Sequence, residues 1–243
     1  MTKHSAVVGD PISQSLSPII HDAAYKYLGL DRDYSAFRVP SGSLNNFLIS
    51  NPTVDSVSVT MPLKFEAFTL SLPQGIAIKT GVVNTLLRTV DQTLGFNTDV
   101  FGLAKAIEKA NLENVLILGT GATARSAVES VRLRFPEALL SIAGRSAEKL
   151  DSIASDVRKY PLESLPSGFS FVINTIPNFQ VEASNFINTA YFQDEQLQSG
   201  QISGTLMLIW QAIGQLRVLI NGSPEIALPD EDSIFEVMRS SIA

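Results

Sequence analysis

The chain has no cysteine, which excludes disulfide bonds and thiolate metal sites and agrees with a reducing compartment. Its two histidines, His4 and His21, are too few for a zinc site, so we expect no metal ion. Basic residues do not cluster, and the formal net charge is -6. The chain therefore lacks the electrostatic footprint of a nucleic-acid-binding protein.

Long apolar segments are also missing. The N-terminal residues lack the apolar core of a signal peptide, and the most apolar later stretch, 206–220, is interrupted by Gln211, Gln215 and Arg217. Such a stretch is too short and too polar to cross a bilayer and is typical of a buried helix. We therefore expect a cytoplasmic protein without a membrane partner.

The overall composition is that of an ordinary globular protein. Its 243 residues, 45% hydrophobic and 17% charged, are enough for one large or two small domains. From Val115 onward, strand-like and helix-like segments alternate, which predicts parallel βαβ units. The predicted strands are 6–8, 34–39, 57–60, 115–118, 139–143 and 169–173, with 82–87 and 93–96 as an edge hairpin. The predicted helices are 18–28, 44–49, 100–110, 123–134, one from 147, 206–220 and 232–242.

A glycine-rich turn, Gly-Thr-Gly-Ala-Thr-Ala at 119–124, separates the strand 115–118 from the next helix. This strand–glycine–helix order makes a GxGxx(G/A) match credible as a dinucleotide site. Small residues let the backbone approach a pyrophosphate, and the helix N-terminus offers N–H groups and a positive dipole end. Because so much chain precedes the turn, we expect a separate N-terminal domain for the substrate chemistry. The candidate cofactor contacts in the turn are Gly119, Gly121, Ala122 and Thr123.

Two residues upstream of the turn could handle a proton. Lys64 lies just after Pro62 at a strand end, where ligand crevices form in α/β folds, although lysines are also common at solvated surfaces. Asp99 precedes a predicted helix, so it could cap that helix as well as hold a lysine ammonium. Burial lowers a lysine pKa, which would suit Lys64 to acid/base work in alcohol dehydrogenation.

Other polar residues stand in loops or apolar surroundings. Ser15 and Ser17 could both bind one anion, or they could serve the loop, with Ser17 as an N-cap of the next helix. Asn84 and Gln211 are amides within apolar runs, and a buried amide needs backbone or ligand partners. His21 falls on the helix after the serine loop, where a structural role is favoured.

Five short motifs follow one another in order along nearly the whole chain. They are Ser15-Leu16-Ser17-Pro18-Ile19-Ile20-His21, Val59-Thr60-Met61-Pro62-Leu63-Lys64, Gly81-Val82-Val83-Asn84-Thr85, Asn97-Thr98-Asp99 and the segment from Gly204 to Ala212. In this combination the chain resembles the shikimate dehydrogenase family, and the set is far more specific than any single motif.

The resemblance implies an NADP-dependent, reversible reduction of 3-dehydroshikimate to shikimate in aromatic amino-acid biosynthesis. It implies that Lys64 and Asp99 form the catalytic pair and that the small-molecule substrate is held by its carboxylate at Ser15 and Ser17. Around the ring hydroxyls it places Lys64, Asn84, Asp99 and Gln211, with Thr60 nearby. It adds Thr175 and Gly204 to the cofactor contacts.

The end of the second predicted Rossmann strand favours NADP over NAD. An NAD site usually has an acidic residue there to accept from the ribose 2′-OH. This chain instead has Gly144-Arg145-Ser146, with Lys149 one turn on. Cations and a hydroxyl suit a 2′-phosphate, which arginine can bind with two hydrogen bonds. We therefore predict that Arg145, Ser146 and Lys149 bind the cofactor.

The chain departs from the family after its last predicted strand. The family's Asn-Ala-Thr-Pro loop reads Asn174-Thr175-Ile176-Pro177, and the stretch between Pro177 and Gly204 is shorter than usual. A tyrosine-containing segment that frames the nicotinamide is not recognisable, although Tyr191 could stand for its tyrosine. We expect a slow enzyme that holds NADP mainly by its adenosine half. The alternatives are a catalytically weak shikimate- or quinate-binding or regulatory homologue and a quinate dehydrogenase.

The same reasoning predicts a two-domain α/β protein. Residues 1–101 and 206–243 would form the substrate-binding catalytic domain, because Gln211 returns to the motif residues of the first part. Residues 102–205 would form the Rossmann-like NADP-binding domain. A monomer and a homodimer both stay open.

Overall fold

The computed structural model describes residues 3–189 and 197–243. The chain forms two compact units, Met1–Thr98 with Ile209–Ala243 and Asp99–Leu208. Each unit is built around a six-stranded sheet with helices. The predicted two-domain α/β class is confirmed.

The sheet of the first unit is mixed. Parallel pairing joins its first three strands, and antiparallel pairing joins the fifth strand to the third and the sixth. The strands are β1 (Lys3–Gly9), β2 (Arg32–Arg38), β3 (Val54–Val59), β4 (Leu72–Pro73), β5 (Thr85–Arg88) and β6 (Thr93–Phe96), in the order β2-β1-β3-β5-β6-β4. The β1 and β3 positions are central, so their apolar residues are buried, and both strands end at one edge of the sheet.

The sheet of the second unit is parallel throughout. Its strands are β7 (Asn114–Leu118), β8 (Leu139–Gly144), β9 (Arg158–Pro161), β10 (Phe171–Asn174), β11 (Phe186–Asn188) and β12 (Gln201–Ile202), in the order β12-β11-β10-β7-β8-β9. The chain moves outward from β7 to β9 and then returns to β10 on the other side of β7. Ligands bind at such switch points in open α/β sheets, and the glycine turn follows β7 there.

The helices connect and cover these strands. In the second unit, the apolar face of the helix after β7 packs against buried residues of β7 and β8, including Val115 and Ile142. In chain order the described helices are α1 (Ser17–Tyr27), α2 (Leu44–Ser50), α3 (Lys64–Thr69), α4 (Ile76–Thr80), α5 (Asp99–Ala106), α6 (Ala122–Arg134), α7 (Ala147–Asp151), α8 (Gly204–Asn221) and α9 (Glu231–Ser240). Within the described ranges, none of these helices combines the length and the apolar character needed to cross a membrane.

One local prediction needs correction, and four short strands were not predicted. The hairpin of β5 and β6 exists, but it is not at the edge, because β5 pairs with β3 and the two-residue β4 pairs with β6. A strand of two residues that includes Pro73 carries too little pattern to read from sequence. The strands β9, β11 and β12 were not predicted either, since each has four residues or fewer.

Candidate active site

The substrate-side motifs lie on loops that leave β1 and β3 at the same edge of the sheet. The Asp10 N–H donates to the Met61 carbonyl at 2.9 Å, and the Thr60 N–H donates to the Val8 carbonyl at 2.9 Å. These bonds hold the loop that leads to the serines beside the loop that leads to Lys64. Thr60 is half-buried at the start of the second loop.

The two serines meet at the start of α1. Leu16 is the N-cap and Ser17 is the first helical residue, so the predicted capping by Ser17 is wrong. Instead the Ser15 hydroxyl accepts from the Ser17 N–H at 3.3 Å, while Ser17 itself is buried and its carbonyl accepts from His21 Nδ1 at 2.9 Å. A serine two residues upstream satisfies an N–H that the helix leaves without an intrahelical partner.

Lys64 is the first residue of α3 and is half-buried. Its carbonyl accepts from the Val83 N–H at 3.2 Å. The next residue, Asn84, is 1% exposed, and its carbonyl accepts from the Val59 N–H at 2.7 Å. The main chain of Lys64 is therefore anchored directly beside the segment that carries the Asn84 amide.

Asn84 and Gln211 meet in the interior of the first unit, although 127 positions separate them in sequence. Asn84 Nδ2 donates to Gln211 Oε1 at 3.4 Å and to Thr98 Oγ1 at 3.0 Å. Asn84 Oδ1 accepts from the Thr98 N–H at 2.8 Å. Gln211 lies on α8 and is 9% exposed. The fold thus brings the Asn84 and Gln211 amides together, next to the segment that anchors the main chain of Lys64.

Asp99 follows Thr98 directly and is the first residue of α5. Asp99 is only 4% exposed, which is unusual for an aspartate at a helix terminus. Its pairing with Lys64 stays a prediction.

The electrostatics around the serine loop are dominated by burial. His21 is 1% exposed and stacks on Tyr34 with ring centroids 4.2 Å apart. Burial lowers the pKa of His21 to about 4, against the opposing effects of the Ser17 carbonyl and the Gln215 side chain. A neutral imidazole therefore donates to Ser17 at ordinary pH, which agrees with the structural role expected for this histidine.

In the second unit, the glycine turn joins β7 to α6. Gly119 has φ +111°, a backbone conformation that side chains rarely adopt, and its missing Cβ leaves room for Thr175. The Thr175 hydroxyl donates to the Leu118 carbonyl at 2.6 Å, so this side chain ties β10 to the turn. Gly121 is exposed at the N-cap of α6, and nothing lies within 4 Å of the point where its Cβ would stand. The helix N-terminus is therefore open to a phosphate group.

Of the residues predicted for a 2′-phosphate, Arg145 and Ser146 lie between β8 and α7, and Lys149 lies on α7. Arg145 and Lys149 are exposed, and Ser146 caps α7 by accepting from the Lys149 N–H at 3.3 Å. A further cation that sequence reasoning did not consider is Arg125, whose guanidinium donates to Ser152 Oγ at 2.9 Å, at the C-cap of α7. The available signal was a basic residue one turn after the glycine pair.

Three of the remaining predicted positions lie on helices of the second unit. Ala122 and Thr123 form the first turn of α6. Gly204 begins α8 and is buried. Tyr191 lies outside the described residues. The structure leaves the cofactor role of each of these positions as a prediction.

Comparison with known proteins gives the family. Residues 7–86 match the shikimate dehydrogenase substrate binding domain. A shikimate dehydrogenase (NADP(+)) of Methanococcoides burtonii is 30% identical over 261 aligned positions, which cover 93% of this chain and 95% of the relative. The enzyme of the same name from Helicobacter pylori is 30% identical over 95% of this chain and 86% of its own length. A crystal structure of a shikimate dehydrogenase in complex with NADP+ superposes with a TM-score of 0.83 at 26% identity, covering 99% of this chain and 94% of the other. The chain belongs to the shikimate dehydrogenase family.

Proposed function

We propose that this protein is an NADP-dependent shikimate dehydrogenase, which reduces 3-dehydroshikimate reversibly to shikimate. The observation that carries the proposal is the placement of the Asn84 and Gln211 amides against each other beside the Lys64 main chain. Such convergent polar groups in a buried setting suit the recognition of a hydroxylated ring, because each amide can donate to and accept from a hydroxyl. Membership of the family supports the same activity.

The substrate-side roles follow from the chemistry of these groups. Ser15 and Ser17 would bind the carboxylate, since both stand at the N-terminus of α1, where the helix dipole favours an anion. Lys64 would give or take the hydroxyl proton, and Asp99 would hold the lysine ammonium in place. Thr60 would contact the ring from the loop between β3 and Lys64.

The cofactor side fits NADP. The open space at Gly121 allows the backbone of the α6 N-terminus to approach a pyrophosphate. Arg145 and Lys149, near the N-terminal end of α7, would supply positive charge for a 2′-phosphate. When bound, the reduced cofactor supplies the hydride. Thr175 and Gly204 would line the same site.

A matrix of substrates and cofactors tests the proposal. Purified protein would be assayed with shikimate and quinate, each with NADP+ and NAD+, by the absorbance of the reduced nicotinamide. The expected result is fastest turnover of shikimate with NADP+. Faster oxidation of quinate would replace the proposal with a quinate dehydrogenase. Binding of shikimate without turnover of either substrate would indicate a regulatory homologue.

The organisation of the protein belongs to the same proposal. Residues 1–101 with 206–243 would bind substrate, and residues 102–205 would bind NADP. The cytoplasmic location, and the choice between monomer and homodimer, also stay predictions.

A further inference from the structure

A chain of hydrogen bonds runs through the interior of the first unit and ends at the Gln211 amide. Tyr34 Oη donates to Ser58 Oγ at 2.6 Å, and Ser58 Oγ donates to Gln215 Oε1 at 2.9 Å. Gln215 Nε2 then donates to Gln211 Oε1 at 2.9 Å, where Asn84 Nδ2 donates as well. All of these residues are less than a tenth exposed, so water does not readily replace a lost partner.

A main-chain group decides which atom donates and which accepts along this series of hydrogen bonds. The Thr98 N–H can only donate, and it donates to Asn84 Oδ1 at 2.8 Å. The nitrogen of Asn84 must therefore face Gln211, which requires Gln211 to present its oxygen in return. Gln215 must then present its nitrogen to that oxygen, and its own oxygen to Ser58. Each amide orientation follows from the one before it.

The two glutamines are four residues apart on α8, so their side chains share one face of the helix. With two N–H donors at its oxygen, the Gln211 carboxamide is held in one of its two orientations. Its nitrogen then lies on the other side of the group, as a hydrogen-bond donor. If the Gln211 amide flipped, its NH₂ group would face two other N–H donors. The buried donors of Asn84 and Gln215 would then lose their acceptor, which is unfavourable.

We infer that Gln215, supported by Ser58, is a positioning residue that fixes the Gln211 amide with its N–H donors toward a substrate oxygen. The inference rests on the proposed function, because it needs Gln211 to contact the substrate. The inference takes this oxygen to be the one that is a ketone in 3-dehydroshikimate and a hydroxyl in shikimate. A ketone oxygen only accepts hydrogen bonds, so the ketone requires the donor orientation of Gln211 more strictly than the alcohol does.

Two variants of Gln215 distinguish positioning from packing. Gln215→Met keeps the volume and removes the donor to Gln211. Gln215→Glu, when ionised, keeps the bond from Ser58 but offers Gln211 only acceptors, which favours the flipped amide. We expect Gln215→Glu to raise the KM for 3-dehydroshikimate about tenfold, and the KM for shikimate by less. Gln215→Met should raise both by smaller factors, and the KM for NADPH should stay unchanged.

A double-mutant cycle tests whether Gln215 acts through Gln211. The KM effect of Gln215→Met should disappear in a Gln211→Met background, because no amide remains to be oriented. A merely structural role would add its effect in both backgrounds, and an unchanged KM in Gln215→Met would also overturn the inference. Absence of shikimate turnover in the parent protein would instead overturn the proposed function.

Ser58→Ala extends the test to a milder change, should the glutamine variants fail to fold. Its matched control is Ser5→Ala, because Ser5 is also a buried serine whose hydroxyl accepts from a tyrosine, Tyr25, at 2.9 Å but lies outside the chain to Gln211. Ser58→Ala should raise the KM for 3-dehydroshikimate about threefold, while Ser5→Ala leaves it unchanged. Equal KM values in the two variants would overturn the inference.

Discussion

A methyl group on Gly119 would stand where the side chain of Thr175 already lies. Thr175 cannot readily move aside, because its hydroxyl donates to the Leu118 carbonyl at 2.6 Å. Gly121, two positions along the same turn, faces open space instead. The fold therefore requires the first glycine, while the second leaves room for a ligand.

This contrast gives a matched pair of variants. Gly119→Ala should lower the free energy of unfolding by about 1–3 kcal/mol, because of its positive φ and the overlap with Thr175. Gly121→Ala should unfold like the parent but raise the KM for NADPH, since its methyl group enters the space beside the α6 N-terminus. Urea unfolding and steady-state kinetics would check both. Equal losses of stability, or an unchanged KM in Gly121→Ala, would contradict the prediction.

Arg145→Ala should separate the two nicotinamide cofactors. We expect the KM for NADPH to rise at least about tenfold more than the KM for NADH, because only NADPH carries the 2′-phosphate. Arg134→Ala is the control, since Arg134 is an exposed cation at the far end of α6 that pairs with Glu108. Equal effects of Arg145→Ala on both cofactors would mean that the phosphate is bound elsewhere.

Lys64→Ala should lower kcat for shikimate oxidation on the order of 10²-fold or more, if the lysine transfers or stabilises the proton. The exposed Lys26 on α1 supplies the control, and Lys26→Ala should keep the parental kcat. A Lys64→Ala variant with normal kcat and raised KM would reassign Lys64 to binding.

Ser15→Ala should mainly raise the KM for shikimate, because a carboxylate contact is made in ground and transition states alike.

The pKa of His21 predicts a loss of stability in mild acid. In the folded state its pKa is about 4, below the ordinary histidine value of 6.5, so well above pH 6.5 the ring is neutral in both states. As the pH falls from 6.5 toward 4, only the unfolded chain takes up the proton, and the folded state loses stability. Protonation of this histidine in the unfolded chain should lower the free energy of unfolding by about 2 kcal/mol between pH 7 and pH 5.

The measurement is urea unfolding of the parent and of His21→Gln at both pH values. The variant should show the smaller pH dependence, because the other titrating groups are common to both proteins. Titration of the His21 ring by NMR provides an independent check. A folded-state pKa near 6.5, or the same pH dependence in both proteins, would show the prediction to be wrong.

The short segment between β10 and α8 predicts loose binding of the nicotinamide half of NADP. Of the residues described there, only β11 and β12 form regular structure, with three and two residues. The turn at Gly121 and Arg145 would still hold the pyrophosphate and the 2′-phosphate. NADP+ should therefore bind little more tightly than 2′,5′-ADP in a calorimetric titration. Much tighter binding of NADP+ would mean that the nicotinamide site is well formed.

The long periodic elements were readable from sequence because their patterns are local. The apolar run of β7, the small residues of the turn and the helical spacing of α6 each depend on neighbours within a few positions. Five motifs in order were likewise enough to indicate the shikimate dehydrogenase family, because a motif is defined by residue types and spacing, which the sequence itself contains.

The tertiary structure alone decided which polar groups meet. Nothing in the local sequence shows that the Ser15 hydroxyl accepts a hydrogen bond from an N–H group at the start of α1. Nor does it show that β4 pairs with β6. Likewise, the bond from Asn84 to Gln211 joins residues 127 positions apart. A hydrogen bond has a short range and a strict direction, so such pairs depend on how strands and helices pack, which local propensity does not encode.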